Sequence, residues 1–569
     1  MMNIKNLSVT YEKDGVRTEA VRGIDLYVEK GKITGLVGES GSGKSTAMFA
    51  IMGLLPEQTT VMADVMELDG ERPVPGKNIA MIFQDSLHCL NPTMKIGKQI
   101  AETVRAKKRC SLGEARRRAE ELLEQVGIRN PKLRMKQYPY ELSGGMRQRV
   151  VIAIALACEP KLIIADEPTT ALDAAVQAQI LLLLKKIVKE TETSLLLVSH
   201  DLGVVASLCD QLYVMREGEI VENGFTVDVF YDPQTDYTKQ LLADASGKRI
   251  IAAGKDVKNE SPAPLLKVEH LKRMFQSGEG LEDISFEIKE GEMVALIGES
   301  GSGKTTLARI LTGIESSDGG MVVGKKDCTV RMVFQDPFAS LNPCMTVRQT
   351  LREVLLVQKI TEEKIKSDIE EMIVQVGLHL EDLERYPKEL SGGQRQRVAI
   401  ARALLAQPKL LIFDEAFSAV DATTRAQLME LLAKLVKQKK IACLFISHDL
   451  ELVKWMTTKV YVLYKGVLLE SGPAAAVCQD PWHPYTKMLM EALPKANPKK
   501  AKKIKPGTNR EFESKGGCPY FSQCGYALDC CKNHRPETYV FEERKIACYL
   551  YSQKHSGKRG ENYKMTSQI

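Results

Sequence analysis

The sequence predicts an α/β protein built from two tandem phosphate-binding domains, and three observations lead there. The first is a pair of nearly identical glycine-rich stretches, Gly38-Glu39-Ser40-Gly41-Ser42-Gly43-Lys44-Ser45-Thr46 and Gly298-Glu299-Ser300-Gly301-Ser302-Gly303-Lys304-Thr305-Thr306. Both fit G-x-x-x-x-G-K-[ST], in which backbone N–H groups curl around phosphates, the lysine reaches the terminal phosphates and the hydroxyl takes Mg²⁺. Each follows an apolar run (Ile33 to Val37, Met293 to Ile297) and precedes a helix-like one, the order of strand, loop and helix N-terminus that phosphate binding requires. The second is a pair of buried-type strands that end in acids, Lys161 to Ala165 before Asp166-Glu167 and Leu410 to Phe413 before Asp414-Glu415. The third is spacing: 23 residues lead from Ser143 to Asp166 and from Ser391 to Asp414, and 34 lead from Asp166 to His200 and from Asp414 to His448. A period near 250 residues is a domain duplication, too long for a solenoid.

In chain order, residues 1 to about 30 alternate in polarity as short strands over Ile4 to Val9 and Val21 to Val28, with Tyr11 just beyond the first. After the first phosphate loop comes a strand from Ile79 to Phe83 that ends in Gln84-Asp85, then charge at helical spacing from Ile100 to Gly127. Ser143-Gly144-Gly145 opens an apolar helix, Val150 to Cys158, whose first N–H groups lack intrahelical partners. Asp173 sits on a turn before a helix from Gln177 to Lys189, and the strand Ser194 to Val198 ends in Ser199-His200-Asp201. The second half replays this with Gln335, Ser391-Gly392-Gly393-Gln394, Asp414-Glu415, Asp421 and Ser447-His448-Asp449. Lys44 to Gln84 is 40 residues but Lys304 to Gln335 is 31, a difference expected at the surface. These landmarks divide the chain into 1–245, a proline-containing linker 246–264, a second domain 265–494 and a basic, cysteine-rich extension 495–569.

Composition narrows the class. Hydrophobic residues at 44% and charged residues at 27% of 569 describe a chain with material for large cores, not a disordered one. The longest strongly apolar run, Val150 to Cys158, is far short of the ~18 residues a membrane span needs, so none is expected. The first residues carry no secretory pattern, which makes the cytosolic side the default. Net charge of +6 is modest, but Lys495 to Lys505 holds six lysines and no acid. That run reads as a solvated linker, or as a contact for anionic lipid or RNA; the lack of interleaved aromatics weakens the RNA reading.

The inventory supports phosphate chemistry before any family is named. A phosphate loop, a hydroxyl and an acid for Mg²⁺, a second acid to orient water and a histidine within reach of a terminal phosphate together suit hydrolysis of a nucleoside triphosphate.

The Leu-Ser-Gly-Gly turn after a phosphate loop, the Asp-Glu-ended strand and the Ser-His-Asp stretch together resemble the ATP-binding cassette of ABC proteins, twice over, across about residues 1 to 490. The resemblance implies a RecA-like core and a helical subdomain in each cassette. It implies that Gly38, Ser40, Gly41, Ser42, Gly43, Lys44, Ser45 and Thr46, with Gly298, Ser300, Gly301, Ser302, Gly303, Lys304, Thr305 and Thr306, hold the ATP phosphates. Ser45, Gln84 and Asp166, and Thr305, Gln335 and Asp414, would attend Mg²⁺; Glu167 and Glu415 would polarise the attacking water; His200 and His448 would hold the γ-phosphate. Gln84 and Gln335 would also couple to a permease. Tyr11 and, by alignment of Leu7 with Leu271, Phe275 would stack on adenine. The resemblance further implies that each ATP meets the Ser-Gly-Gly turn of the other cassette, Ser391, Gly392, Gly393 and Gln394 serving Lys44, and Ser143, Gly144 and Gly145 serving Lys304. Met146 replaces the usual signature glutamine, and Ala416 stands where the first half has Pro168; neither removes a reactive group.

Asp85 to Pro92, Asp336 to Pro343 and His483-Pro484-Tyr485-Thr486 resemble the oligopeptide, dipeptide and nickel importer branch. This implies an ATP-hydrolysing subunit, peripheral at the cytoplasmic face of the membrane, that drives peptide import through separate permease subunits fed by an extracytoplasmic substrate-binding protein, with no nucleic-acid partner. Asp-Glu-Ala-Phe-Ser at 414 to 418 resembles nickel or metallophore members and keeps metal uptake open as an alternative. Soluble tandem-cassette proteins of ribosomes or DNA repair are the alternatives of another class. The short proline-containing linker counts against the first, and the placement of the cysteines after both cassettes against the second.

Of 13 cysteines, five fall in the last 52 residues. Cys518, Cys524, Cys531 and Cys548 are separated by five, six and sixteen residues, and four thiols in a reducing compartment suggest a metal site. Their order resembles the tail of peptide-importer ATPases, which implies a 4Fe-4S cluster; zinc and unligated thiols stay open, and Cys530 competes with Cys531 as third ligand, with Cys531 favoured by the family spacing.

Overall fold

The computed structural model describes residues 1–13, 15–170, 172–245, 264–276, 278–325, 328–358, 360–417, 420–447, 450–492, 497–498 and 516–552. The chain divides into two compact units, the first built mainly from Met1–Lys248 and the second mainly from Arg249–Ala419, Gln427–Glu491 and the C-terminal residues. Linker residues 246–263 and most of the lysine-rich run lie outside the described residues, and Pro264 opens the first strand of the second cassette.

In the first cassette the core sheet runs in the order Glu219–Phe225, Gln211–Arg216, Ile33–Val37, Ser194–Val198, Leu162–Asp166, Ile79–Ile82. The strand Ile33–Val37 is parallel to both neighbours, and Leu162–Asp166 is parallel to both of its own. Four of these strands are buried along their whole length, which is why they read as unbroken apolar runs: helices and a second sheet cover both faces. Parallel strands send their C-terminal ends to one edge of the sheet, so the phosphate loop, Gln84, Asp166-Glu167 and Ser199-His200 emerge side by side.

The covering sheet is antiparallel: Met2–Lys13 pairs with Val16–Val28 on one side and with Thr59–Met62 and Val65–Leu68 on the other. The two N-terminal strands are longer than polarity alone suggests, because register shifts at Leu7 and Val9 interrupt the alternation without ending the pairing. The charged stretch from 100 to 127 is two helices, Ile96–Lys108 and Leu112–Gln125. Arg109 at φ +50° breaks the first, and Ser111 with Glu114 forms a capping box that starts the second. The apolar helix begins earlier than its apolar run, as Gly144–Ala157, and Asp173 caps Ala174–Thr191 by accepting Val176 N at 2.9 Å.

The second cassette repeats the core order as Val330–Val333, Leu410–Asp414, Ala442–Ile446, Met293–Ile297, Lys459–Tyr464, Val467–Pro473. Its antiparallel layer has one strand, Gly319–Gly324, where the first cassette has two: Met321 to Gly324 pair with Leu266 to Glu269 in the register that Val65–Leu68 take against Met2 to Lys5, so the longer pairing of the first cassette lies at Thr59–Met62. The core sheet then continues into the tail: Arg544–Ile546 pairs with Val467–Pro473 through Glu470↔Ile546 and Ser471↔Lys545, and Tyr539–Phe541 closes the edge. Among the described residues no helix is long and apolar enough to cross a membrane.

Candidate functional site: two phosphate loops and a four-thiol tail

Each phosphate loop turns from a buried strand into a helix through a glycine in the left-handed region, Gly43 at φ 101° and Gly303 at φ 102°, where a Cβ would be strained. The helices Lys44–Met52 and Lys304–Leu311 follow, with their first N–H groups facing the loop. Lys44 Nζ is folded back on the loop, donating to Gly38 O at 2.9 Å, Glu39 O at 2.7 Å and Ser42 Oγ at 3.3 Å. Lys304 does the same with Gly298 O at 2.9 Å and Glu299 O at 2.8 Å. Burial lowers the Lys44 ammonium from its usual range, and the Glu167, Asp166 and Glu39 carboxylates oppose that shift. An ammonium that borrows carbonyls in a buried loop is suited to exchange them for phosphate oxygens.

The Ser45 hydroxyl lies beside Asp166 and the Thr305 hydroxyl beside Asp414, each favouring the charged carboxylate. Burial pushes the Asp166 carboxyl up to about 6; Glu167 adds to the rise, while Lys44 and the Ser45 hydroxyl pull against it. Burial likewise raises Asp414, whose Oδ1 is buried without a hydrogen-bond partner. A buried acid beside a hydroxyl, with an oxygen still open, fits a small hard cation such as Mg²⁺.

Glu167 gathers three side chains. Gln84 Nε2 donates to Glu167 Oε2 at 2.9 Å, Thr170 Oγ1 donates to the same oxygen at 3.0 Å, and His200 Nδ1 lies 2.7 Å from Oε1. Burial opposes the charge, but the His200 and Thr170 hydrogen bonds keep the carboxyl below its ordinary value. Glu167 and Glu415 both sit in the left-handed region, at φ 45° and 47°, each with its N–H bonded to the neighbouring strand (Val198 O and Ile446 O, both 2.9 Å). Strain of this kind at a non-glycine residue persists only where the surroundings enforce it, and it turns the carboxylates out of the sheet. Gln335 Nε2 reaches Glu415 Oε2 at 3.1 Å; His448 lies outside the described residues. Thr170 was not signalled by spacing alone.

Ser143 and Ser391 are the N-caps of the helices Gly144–Ala157 and Gly392–Leu405. Ser391 Oγ accepts Gln394 N at 3.2 Å while Gln394 Oε1 accepts Ser391 N at 2.9 Å, so the Gln394 side chain closes a capping box. Met146 has no acceptor to return, and the first cassette keeps only the bond from Met146 N to Ser143 Oγ, at 3.4 Å. A Cβ at Gly145 would fall 2.3 Å from Val176 Cγ1, which explains that glycine by packing. Tyr11 OH stands 3.4 Å from Thr46 Oγ1, beside the first loop. Phe275 is 39% exposed, with the Arg273 guanidinium 5.3 Å from its ring centroid.

Two tyrosines complete the loops. Tyr237 OH accepts Glu39 N at 3.1 Å, and Tyr485 OH accepts Glu299 N at 2.9 Å. They are 248 residues apart, the same interval as Lys161-side landmarks such as Asp166 and Asp414, so the repeat itself carries the signal that would have found Tyr237.

In the tail, Cys518, Cys524, Cys531 and Cys548 are buried and line one cavity with His483 and Phe521, while Cys530 is exposed. Burial, and then the neighbouring thiols, push Cys518 up to about 11 and Cys548 up to about 12. Among the described residues no group of three or more His, Cys, Asp or Glu side chains stands in metal-ligand geometry. The four thiols therefore share a cavity without being drawn together around a centre.

Against this geometry, the family profile described as ABC transporter matches residues 21–170 and 281–418. The chain belongs to the ABC transporter ATP-binding family. A second profile, the oligopeptide/dipeptide transporter C-terminal region, matches 469–531 of this ABC ATPase. The glutathione import ATP-binding protein GsiA of Shigella boydii serotype 4 (strain Sb227) is 38% identical over 561 residues, covering 88% of this chain and 90% of its own. GsiA of Escherichia coli (strain K12) is 38% identical over 562 residues with the same coverage. Among solved structures the RNase-L Inhibitor matches with a TM-score of 0.55 at 21% identity, over 81% of this chain and 88% of its own, a likeness of fold. As a member of its family the chain is an ATPase whose hydrolysis is coupled to transport.

Proposed function

We propose that this ABC ATPase energises import of di- and oligopeptides through separate permease subunits supplied by an extracytoplasmic binding protein, working from the cytoplasmic face of the membrane. The observation that carries the substrate class is the match of residues 469–531 to the oligopeptide/dipeptide C-terminal region, on a chain 38% identical to glutathione importers. Glutathione is itself a tripeptide. The cassettes span 1–245 and 264–494, joined by 246–263 and followed by the extension 495–569.

In each cassette the phosphate loop binds the ATP phosphates, with Lys44 or Lys304 trading loop carbonyls for β- and γ-oxygens. Ser45 with Asp166, and Thr305 with Asp414, hold Mg²⁺, which supplies charge neutralisation on the phosphates. Glu167 and Glu415 orient the attacking water. The convergence of Gln84, Thr170 and His200 on Glu167 supports this role, because it holds the carboxylate charged and pointed in one direction. Cys518, Cys524, Cys531 and Cys548 would hold a 4Fe-4S cluster, whose role would be structural; four buried thiols on one cavity, with Cys530 turned to solvent, support that donor set.

Replacing Glu167→Gln together with Glu415→Gln keeps the shape but removes both bases. The double variant is expected to bind Mg-ATP and to lose at least ~100-fold in hydrolysis, and cells carrying it should stop accumulating labelled tripeptide while membranes still retain the protein with its permease subunits. Peptide uptake at the unsubstituted rate would overturn the proposal.

A further inference from the structure

The cysteine tail and the second phosphate loop are linked by a short run of packed side chains. Tyr520 lies between Cys518 and Cys524, is buried, and accepts Cys524 N on its carbonyl at 3.0 Å. Its ring stands at 5.4 Å from the Tyr485 ring and, edge-on, at 5.4 Å from the Tyr464 ring, while Tyr464 and Tyr485 are 4.5 Å apart. Tyr485 is fully buried, and its hydroxyl accepts Glu299 N at 2.9 Å; the carbonyl of that same Glu299 accepts Lys304 Nζ at 2.8 Å. The tail is held to this cassette independently by its strand Arg544–Ile546, so Tyr520 is pressed onto Tyr485 by a rigid support.

The first cassette shows what the arrangement replaces. Tyr237 makes the same bond to Glu39 N, but the residue over its ring is Arg216, with the guanidinium 5.1 Å from the centroid. Arg216 and Tyr464 occupy the same place in the repeat, 248 residues apart. Where the first cassette covers its tyrosine with its own arginine, the second offers an aromatic ring that continues into a further ring from the tail.

We infer that Tyr520 is a positioning residue for the second phosphate loop, acting through Tyr485 on Glu299 and Lys304, so that the cysteine tail serves ATP binding at the Lys304 site and not at the Lys44 site. Without Tyr520 the Tyr485 ring loses an aromatic neighbour at 5.4 Å and gains room to tilt. Its hydroxyl then no longer fixes the first turn of the loop, and part of the ordering is left for ATP to supply. The inference rests on the reading of Lys304 as a nucleotide site.

The test uses full-length protein and binding of a methylanthraniloyl-ATP probe with Mg²⁺, in two backgrounds. Lys44→Ala reports the second site and Lys304→Ala the first. Tyr520→Ala is expected to weaken probe binding about three- to tenfold in the Lys44→Ala background, the range one ring–ring pair transmits, and to change nothing in the Lys304→Ala background. Tyr520→Phe, which keeps the ring, should restore it. Tyr485→Phe leaves the tail contacts intact and removes only the hydroxyl; it should reproduce the second-site loss, which separates positioning from unfolding of the tail. Equal losses at both sites, no loss at the second, or a silent Tyr485→Phe would each overturn the inference. If Lys304→Ala by itself fails to remove one bound probe per chain, the reading of the nucleotide site fails instead.

Discussion

Arg544 should hold the tail to the second cassette by completing a buried carboxylate. In the first cassette the matching acid, Glu222, accepts Gln234 N at 2.8 Å, Thr235 N at 3.1 Å and Thr235 Oγ1 at 2.9 Å. In the second, Glu470 accepts Trp482 N at 3.0 Å and His483 N at 2.9 Å, and a histidine stands where the threonine hydroxyl was. Arg544 supplies a side-chain donor instead, on the other carboxylate oxygen. Its Nη2 is 2.6 Å from Glu470 Oε1 and 2.9 Å from Asp480 O, and its guanidinium lies 3.8 Å from the Trp482 ring centroid. The Glu470 side chain has no exposed surface and that of Arg544 is 11% exposed, so the pair is desolvated. Removing one partner of such a pair costs about 3–5 kcal/mol, and the two N–H groups left on Glu470 favour the lower end. Arg544→Ala should therefore destabilise docking of the tail strand by about 3 kcal/mol, or about a hundredfold in its opening equilibrium. Hydrogen exchange reads this at Ala547 N–H, which bonds to Leu469 O at 2.8 Å across the seam, and it should leave the central strand Met293–Ile297 unchanged. Adding Glu470→Gln should recover part of the loss, since a neutral amide needs no counter-charge. Acceleration below about fivefold would mean that the pair behaves like a surface ion pair, and the reasoning from burial would be wrong.

Tyr237→Phe should weaken Mg-ATP binding at the first site only, by about fivefold, the value of one hydrogen bond of about 1 kcal/mol; probe titration in the Lys304→Ala background checks it, and a matching loss at the second site would contradict the pairing of each tyrosine with its own loop. Anaerobically purified protein should carry iron and a broad visible absorbance that Cys524→Ser diminishes and Cys530→Ser leaves largely intact. Stoichiometric zinc without iron would keep the four-thiol site and remove the cluster.

What the sequence by itself determined is what short-range constraints dictate. A phosphate loop needs its glycines, lysine and hydroxyl within nine residues, a strand buried on both faces is an unbroken apolar run, and a duplicated domain repeats its intervals; Lys44, Asp166, Ser143 and their counterparts were all legible on those grounds. Tertiary structure decided the rest, because the partners are remote in the chain. Tyr237 reaches Glu39 and Tyr485 reaches Glu299 only once the core sheet has set the last helix beside the loop. Gln84 and His200 meet at Glu167 because three parallel strands end at one edge, and Thr170 joins them because Glu167 takes a left-handed turn that no propensity announces. Family spacing favoured Cys531 over Cys530, and the fold supplies a physical reason that spacing lacks. They are adjacent on the short helix Cys530–Asn533, where consecutive side chains point about 100° apart, so one faces the cavity and the other solvent. Nor did the tail's lysines and cysteines announce two strands that extend the second core sheet, because the edge they pair with is formed by Val467–Pro473, remote from them in the chain.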